Sequence, residues 1–514
     1  TNLFTNTANG LYRSGFDDRG MGTVDLGPGG RFVNQGVFDV GGSGRFATAT
    51  VKGRFENSGT LLVDVGVDER GRARSDLLTG ETIELDAGTS IAPHAVERLL
   101  PGRFAVVAAT ELRADTDIRV GRAGGPITWT AAVTRTDGKA TGLTLTPSAD
   151  FLGAAGDVTD GEAATLRSLQ EGWDRGVPNM AKLFADIANI TGRQEYRRTV
   201  DSLSPEGLAT TAAAQTMRAP RSLSAAMSCP VFSGETTLIE ESQCVWGRVT
   251  AARAQLFETA SADGFKLDST GLRVGAQWAI GDGWFLGGTA GYGHSNLSTS
   301  DGYTSASGTV GDISVALKRQ MGPLLLSGSI HAGYGQFDAS RLIAMGGGTW
   351  RAESTADVWT GAARGRVAYE FVFGDWYLRP YADLDLVYTH VPAYSEKGAR
   401  ASFRVSAMDE WTLLVSPTLE IGGRHDLGES AWLRPYASVG ATFSTNDTIG
   451  AKVRLKGARR AFETGTDLPD ATLNLGAGLQ LMARDRYELR GEYKAQLGDH
   501  FLGQEAGARF AVRF

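Results

Sequence analysis

The stretch Tyr487-Glu-Leu-Arg-Gly-Glu-Tyr-Lys-Ala-Gln-Leu497 alternates without a break: every odd position is apolar or glycine, and every even position is charged or an amide. Successive side chains of a β-strand point to opposite faces, so such a segment has one face suited to hydrocarbon and one suited to water. The same alternation runs through Trp376 to Thr389, where Trp376, Leu378, Ala382, Leu384 and Leu386 interleave with Arg379, Asp383 and Asp385. It returns from Trp411 to Arg424, where Leu413, Val415, Leu419 and Ile421 interleave with Thr412, Ser416, Glu420 and Arg424. A soluble sandwich rarely sets so many bulky apolar residues opposite a charged face in every strand. No run of 18 apolar residues occurs, so nothing here spans a bilayer as a helix, whereas a closed barrel crosses with only alternate residues apolar.

Carried from Trp246 to Phe514, the pattern predicts twelve strands with cores starting near Trp246, Lys266, Gly283, Tyr303, Gly322, Thr355, Trp376, Trp411, Ala431, Ala471, Arg486 and Glu505. Bacterial outer-membrane barrels have even strand numbers. Tight links at Gly281-Asp282, Gln320-Met321-Gly322, Gly374-Asp375, Gly428-Glu429 and Arg484-Asp485 alternate with longer ones at Asp338 to Arg351, Val391 to Ala401 and Asp447 to Leu468. Short periplasmic turns and long outer loops alternate in this way, which places both barrel ends in the periplasm. The polar face then lines the lumen with Arg364, Arg366, Glu370, Arg379, Asp383, Asp385, Glu420, Arg424, Glu488, Arg490, Glu492 and Lys494. On the last strand Ala506, Ala508, Phe510, Val512 and Phe514 share the lipid face.

Upstream the composition changes twice. Residues 151–245 read as a helical linker: Met180, Leu183, Phe184, Ile187 and Ile190 recur at helical spacing, and Ser204-Pro205-Glu206 is a helix start with a hydroxyl cap, proline at the first position and an acid in the first turn. The following helix, Ser204 through Leu208 to Met217, carries mostly small side chains, and Pro220 is expected to end it. Cys229 and Cys244 are the only cysteines. An isolated pair with no intervening histidine does not make a tetrahedral metal site, leaving a disulfide, with the oxidising compartment that implies, or two free thiols. Residues 1–150 are short β-prone pieces rich in glycine, in which Gly30-Arg-Phe-Val-Asn-Gln-Gly36 and Gly53-Arg-Phe-Glu-Asn-Ser-Gly59 repeat with a period of 23 residues. That period, with a third alternating unit from Thr82 to Ile91, suits the coils of a β-solenoid whose rungs bury their apolar sides against one another.

Taken together, the sequence resembles the autotransporter family, the type V secretion systems of Gram-negative bacteria. The resemblance rests on the coil segments Ser75-Asp76-Leu-Leu-Thr-Gly80 and Gly102-Arg-Phe-Ala-Val-Val107, the helical Leu203-Ser-Pro-Glu-Gly207, Cys244-Val-Trp-Gly-Arg248 and the terminal Gly507-Ala-Arg-Phe-Ala-Val-Arg-Phe514, in that order. It implies that residues 1–150 are the end of a pertactin-like β-helical passenger with an autochaperone-like element, that a helix threads a barrel formed by residues 246–514, and that the barrel-assembly machinery reads the final strand through Phe510, Val512 and Phe514. Two departures stand out. Arg509 occupies the place, five residues before the final aromatic, where many terminal signals have glycine, and the Asn-Asn pair at which the family often self-cleaves is absent.

The expected function is secretion and cell-surface display of the chain's own N-terminal region, without catalysis, cofactor or metal. The alternatives are an adhesin whose binding resides in the passenger, or a porin-like channel. The six histidines fall in no ligand spacing, and Gly311-Asp-Ile-Ser314, faintly like the start of a lipase block, lies inside an alternating strand without a partner histidine motif. A net charge of −7 argues against a nucleic-acid surface. The expected partners are outer-membrane lipid, the assembly machinery and periplasmic chaperones, around a monomer; the passenger's ligand is not readable. The chain opens on Thr-Asn-Leu-Phe without a signal segment and reads as a fragment or a processed form.

Overall fold

In a computed structural model of the chain, every residue is described except 1, 16, 43, 116–117, 122–123, 228, 260–262 and 429. Alternating side chains give twelve long antiparallel strands: β1 Cys244–Leu256, β2 Phe265–Gly281, β3 Trp284–Thr299, β4 Thr304–Met321, β5 Leu324–Met345, β6 Gly348–Tyr369, β7 Trp376–Val391, β8 Met408–Gly423, β9 Ala431–Ser444, β10 Ala471–Ala483, β11 Tyr487–Gly498 and β12 Phe501–Arg513. Each pairs with its neighbour in sequence, and β1 pairs with β12 from Cys244↔Arg513 to Leu256↔Phe501, which closes the sheet and leaves no edge. Closure satisfies the backbone hydrogen bonds inside the bilayer. The odd positions of β10 and β11 and the even positions of β12 face outward: Leu479, Leu489 and Phe510 are all more than half exposed.

This register makes a quantitative prediction. Leu479 sits midway along β10, so Leu479→Arg should cost about 2–4 kcal/mol in a urea titration of the bilayer-embedded chain, while Leu489→Arg, near the periplasmic end of β11, should cost less. A loss for Leu479→Arg no greater than that for Gln496→Lys on the lumen side of β11 would contradict the assignment.

Two expectations need correction, and one lies partly outside the described residues. The link from Asp338 to Arg351 is not a long loop: β5 and β6 continue to Met345 and from Gly348, because Ile343 and Met345 bury themselves against the helical segment above the membrane and extend the alternation. The other long links fold into a second sheet of four strands, Tyr394–Ser395, Phe403–Val405, Thr448–Leu455 and Phe462–Asp467. Of the tight turn at Gly428-Glu429, Glu429 lies outside the described residues.

The N-terminal region coils. One sheet stacks Leu3–Asn6, Arg31–Asn34, Thr48–Asn57, Leu77–Leu85 and Phe104–Ala114 in parallel. A second stacks Leu11–Arg13, Val37–Asp39, Thr60–Val67, Ser90–Ala95 and Arg119–Val120 in the same manner. The repeated Phe-x-Asn explains the period: Phe4, Phe32 and Phe55 lie in register with ring centroids 4.7 and 5.5 Å apart. Beside them Asn6 donates to Asn34 at 2.7 Å and Asn34 to Asn57 at 2.5 Å, an amide ladder that satisfies side chains buried between rungs. The antiparallel hairpin Ile127–Thr136 and Lys139–Ala149 packs on the last rung.

Three helices, α1 Asp160–Asp174, α2 Ala181–Ala188 and α3 Arg193–Ser202, join coil to barrel. A capping box starts α1, Thr159 accepting from the Glu162 amide at 3.3 Å and Glu162 from the Thr159 amide at 2.9 Å. On one side Asn189 bonds both backbone groups of Ala95 in the coil. On the other, Arg341 of β5 donates to the Ser202 carbonyl at 2.8 Å and pairs with Glu396 at 2.7 Å, both side chains almost fully buried. One apolar core therefore runs from the coil, through the helices, to the outer ends of the barrel strands.

Candidate functional site

The site is the barrel's interior and what fills it. Ser204 and Pro205 do not start an α-helix as expected. Pro205 precedes a single 3₁₀ turn, Glu206–Leu208, with the Ser204 hydroxyl accepting from the Glu206 amide at 3.4 Å, and helix α4 runs from Thr210 to Ala226. Leu208 is buried at the outer mouth, where Tyr394 donates to its carbonyl at 2.9 Å, and Met217 lies halfway down the lumen. Pro220 is inside α4 and does not end it. A proline there sacrifices a backbone bond, at about 3 kcal/mol. The wall compensates with side-chain bonds: Ser222 accepts from Arg273 at 2.9 Å, Ser224 from Arg364, Arg218 pairs with Asp312 at 3.6 Å and Thr216 shares a bond with Thr389 at 2.8 Å. The run Thr-Thr-Ala-Ala-Ala keeps the helix slender, and glycines let it approach the wall; a Cβ on Gly207 would lie 2.8 Å from Thr304.

The outer mouth holds buried acids. Glu206 accepts from the Gly161 amide at 3.2 Å, tying the threaded segment to the start of α1. Burial pushes its carboxyl up to about 7, and burial with the neighbouring Glu206 charge pushes Asp263 to about 7 as well. Raised carboxyls of this kind contribute stability that is full below the ordinary carboxylate range and is lost as pH rises through about 7.

The lumen wall carries paired charges in rows. Arg364 faces Asp385 and Arg366 faces Asp383 across β6 and β7, each forked on its partner, at 2.6 and 2.7 Å for the Nη2 bonds. Arg434 donates to Glu420 at 2.6 Å. Glu488, fully buried, accepts from Arg509 at 3.0 Å and from Arg513 at 2.6 Å and lies 2.9 Å from Arg490, and Glu492 accepts from Tyr436 and pairs with Arg248 at 3.2 Å. Arg509, where the terminal pattern often has glycine, thus anchors this buried cluster and lies 5.0 Å over the Trp246 ring. Phe510 and Phe514 are exposed on the outer face, with Val512 half-buried beside them. Because α4 leans on β2–β7, a cavity of about 340 Å³ remains against β8–β12, where Lys494 faces it beside the small residues Ser416, Ser438 and Gly476, with Arg379 of β7 at its edge.

A second obturating element has no counterpart in the sequence reading. Between α4 and β1 the strands Pro230–Phe232 and Ile239–Glu241 form a hairpin across the periplasmic mouth, and a disulfide between Cys229 and Cys244 closes its base. It bonds the wall nearly all the way round. Glu241 accepts from Gln277 of β2 at 2.9 Å and from Lys318 of β4 at 2.7 Å; the Ile239 amide donates to Glu370 at 2.7 Å; Thr237 donates to the Gly374 carbonyl at 2.9 Å; the Pro230 carbonyl accepts from Gln480 of β10 and Arg513 of β12. Phe232 packs 4.8 Å from Trp432 and 6.2 Å from Tyr377. Arg424 lies just past β8 and donates to the Gly234 carbonyl, so it serves the hairpin and does not line the lumen proper.

A closed, lipid-facing barrel with charged lumen, threaded by the chain's own upstream helix, defines a class: an outer-membrane translocator. Residues 245–494 match the family model described as the autotransporter beta-domain, and this part of the chain belongs to that family. The barrel therefore sits in the outer membrane with the coil region exposed at the cell surface, and its fold is not that of an enzyme class. Among solved structures the chain is similar to the translocator domain of autotransporter NalP from Neisseria meningitidis (17% identity, TM-score 0.46, covering 59% of this chain and 97% of that one). It is also similar to the β domain of the Bordetella autotransporter BrkA (19%, 0.39, 53% and 100%) and the transport unit of AIDA-I from Escherichia coli (13%, 0.38, 58% and 98%). No curated protein matches the chain.

Proposed function

We propose that the barrel carries its own N-terminal region across the outer membrane and then holds it at the surface. The observation that supports this is a single covalent path: coil outside, α1–α3 on the outer mouth, α4 down the lumen, hairpin in the periplasmic mouth, then β1. Passage of the chain through the pore it ends in would leave it laid out in this order. The outer membrane offers no ATP, and successive stacking of coils outside supplies a bias, since each rung buries the face of the one before and a stacked rod cannot re-enter the pore. The exposed aromatics Phe510 and Phe514 on the closing strand are the groups through which the assembly machinery would engage the chain, delivered by periplasmic chaperones, to give a monomer.

Protease added to intact cells should remove the coil region and leave a membrane-embedded fragment that begins between α1 and β1, detected by N-terminal sequencing. Protection of the coil region in intact cells would sink this reading and favour a channel with a periplasmic domain.

A further inference from the structure

The outer four-stranded sheet carries a face that translocation leaves unused. Its strands alternate as strictly as the barrel wall: Phe403, Val405, Ala451, Val453 and Leu455 are buried, while Arg404, Lys452 and Arg454 between them are exposed, followed by exposed Lys456 and Arg459 at the turn. The register sets Arg404 directly opposite Arg454. Side chains so paired have Cβ atoms about 4.5–5.5 Å apart, and like charges there repel. Lys452 faces Glu463, the single acid of the exposed pairs. Among the described residues, no carboxylate lies within ion-pair distance of Arg404, Lys452, Arg454, Lys456 or Arg459, in contrast with the forked pairs of the lumen.

Position narrows what could neutralise this face. The sheet's strands continue from the outer ends of β7–β10, and its buried side joins the core over the lumen, so its charged side looks away from the barrel axis. At the outer ends of β7 and β8, from which the first two of these strands continue, stand Tyr388 and Trp411, rings 4.7 Å apart, Trp411 being 60% exposed toward lipid. Arg404 is seven residues from Trp411, no more than about 25 Å along the chain. Aromatic residues of this kind mark the lipid boundary. What lies at that height beside a barrel is the headgroup layer.

We propose that this face binds the phosphate groups of phosphorylated glycolipids in the outer leaflet. A phosphate between Arg404 and Arg454 converts their repulsion into two charge-assisted contacts, and the planar guanidinium fork suits phosphate oxygens. The proposal needs the outer-membrane placement of the barrel and is independent of whether the coil is secreted.

The test uses the full chain in lipid nanodiscs containing phosphatidylethanolamine with either diphosphorylated lipid A or its enzymatically dephosphorylated form, followed by detergent extraction and native mass spectrometry of retained lipid. The chain should retain the diphosphorylated lipid preferentially, and Arg404→Gln with Arg454→Gln should lower that retention about fivefold for each arginine removed. Arg31→Gln with Arg113→Gln, on the coil, should leave it unchanged. In lipid-free neutral detergent at low salt the double variant should melt no lower than the parent, because its cross-strand repulsion is gone; this checks folding, and Arg454→Gln alone serves if the pair is too disruptive. Equal retention by parent and variant, or equal retention of both lipid forms, overturns the proposal. So does loss in the variant of binding to soluble heparin with lipid retention unchanged, which would assign the face to a free polyanion.

Discussion

Deleting residues 1–228, which removes α4 and keeps the hairpin Pro230–Glu241, should leave the reconstituted barrel nearly silent in planar bilayers; deleting residues 1–243 should raise its conductance by about an order of magnitude, toward that of a water-filled pore. The helix fills only part of the lumen, leaving a cavity of about 340 Å³ beside it. The hairpin spans the periplasmic mouth, with bonds to β2, β4, β10 and β12, to the turn before β7 and to Arg424 just past β8. If the threaded helix were the seal, its removal alone would open the pore. High conductance in the first truncation would restore that simpler account, and a silent second truncation would show that some other part of the chain closes the barrel.

The second large effect lies in the hairpin's anchor. Lys318 and Glu241 pair at 2.7 Å with side chains 0% and 2% exposed. Removing one member of such a pair leaves a charge buried without its partner, so Lys318→Met should destabilise the folded chain by about 3–5 kcal/mol. Adding Glu241→Leu should recover most of that, because Gln277 keeps its second bond to the Ser242 carbonyl at 2.9 Å. Denaturant midpoints of the refolded proteins measure both. If the double variant were no better than the single one, the pair would not be the source of the loss.

How much of this was legible follows from which physical constraint wrote each segment. Lipid on one side and water on the other impose a period of two over whole strands, which is why the sequence alone carries all twelve strands and the faces of Arg364, Asp385 and Glu488. The hairpin escaped because its strands are three residues long and are surrounded by barrel wall on every side, so Val231, Glu240 and their neighbours carry no periodic signal. Pro220 misled because the rule that proline ends helices assumes a helix supported only by itself, whereas α4 is held by wall residues such as Arg273 and Arg364. In the coil, Phe4-Thr-Asn6 hides the first rung: it lacks the preceding Gly-Arg and sits 28 residues, not 23, before its successor, and the match shows in the stacked Phe4 ring and the amide ladder at Asn6.

The disulfide at the hairpin's base has a mechanical consequence. A pull on the displayed coil that overcomes the bonds of α1–α4 to the barrel reaches Cys229, and from there two routes lead to the barrel: through the fourteen residues between the cysteines, or straight across the sulfur bridge to Cys244 at the start of β1. The bridge is the shorter and stiffer route and takes the tension, which then spreads along β1 as shear against β2 and β12, the geometry in which many hydrogen bonds must break together. The hairpin is left slack. A pull on the surface coil can therefore strain the tether without drawing the stopper out of the pore.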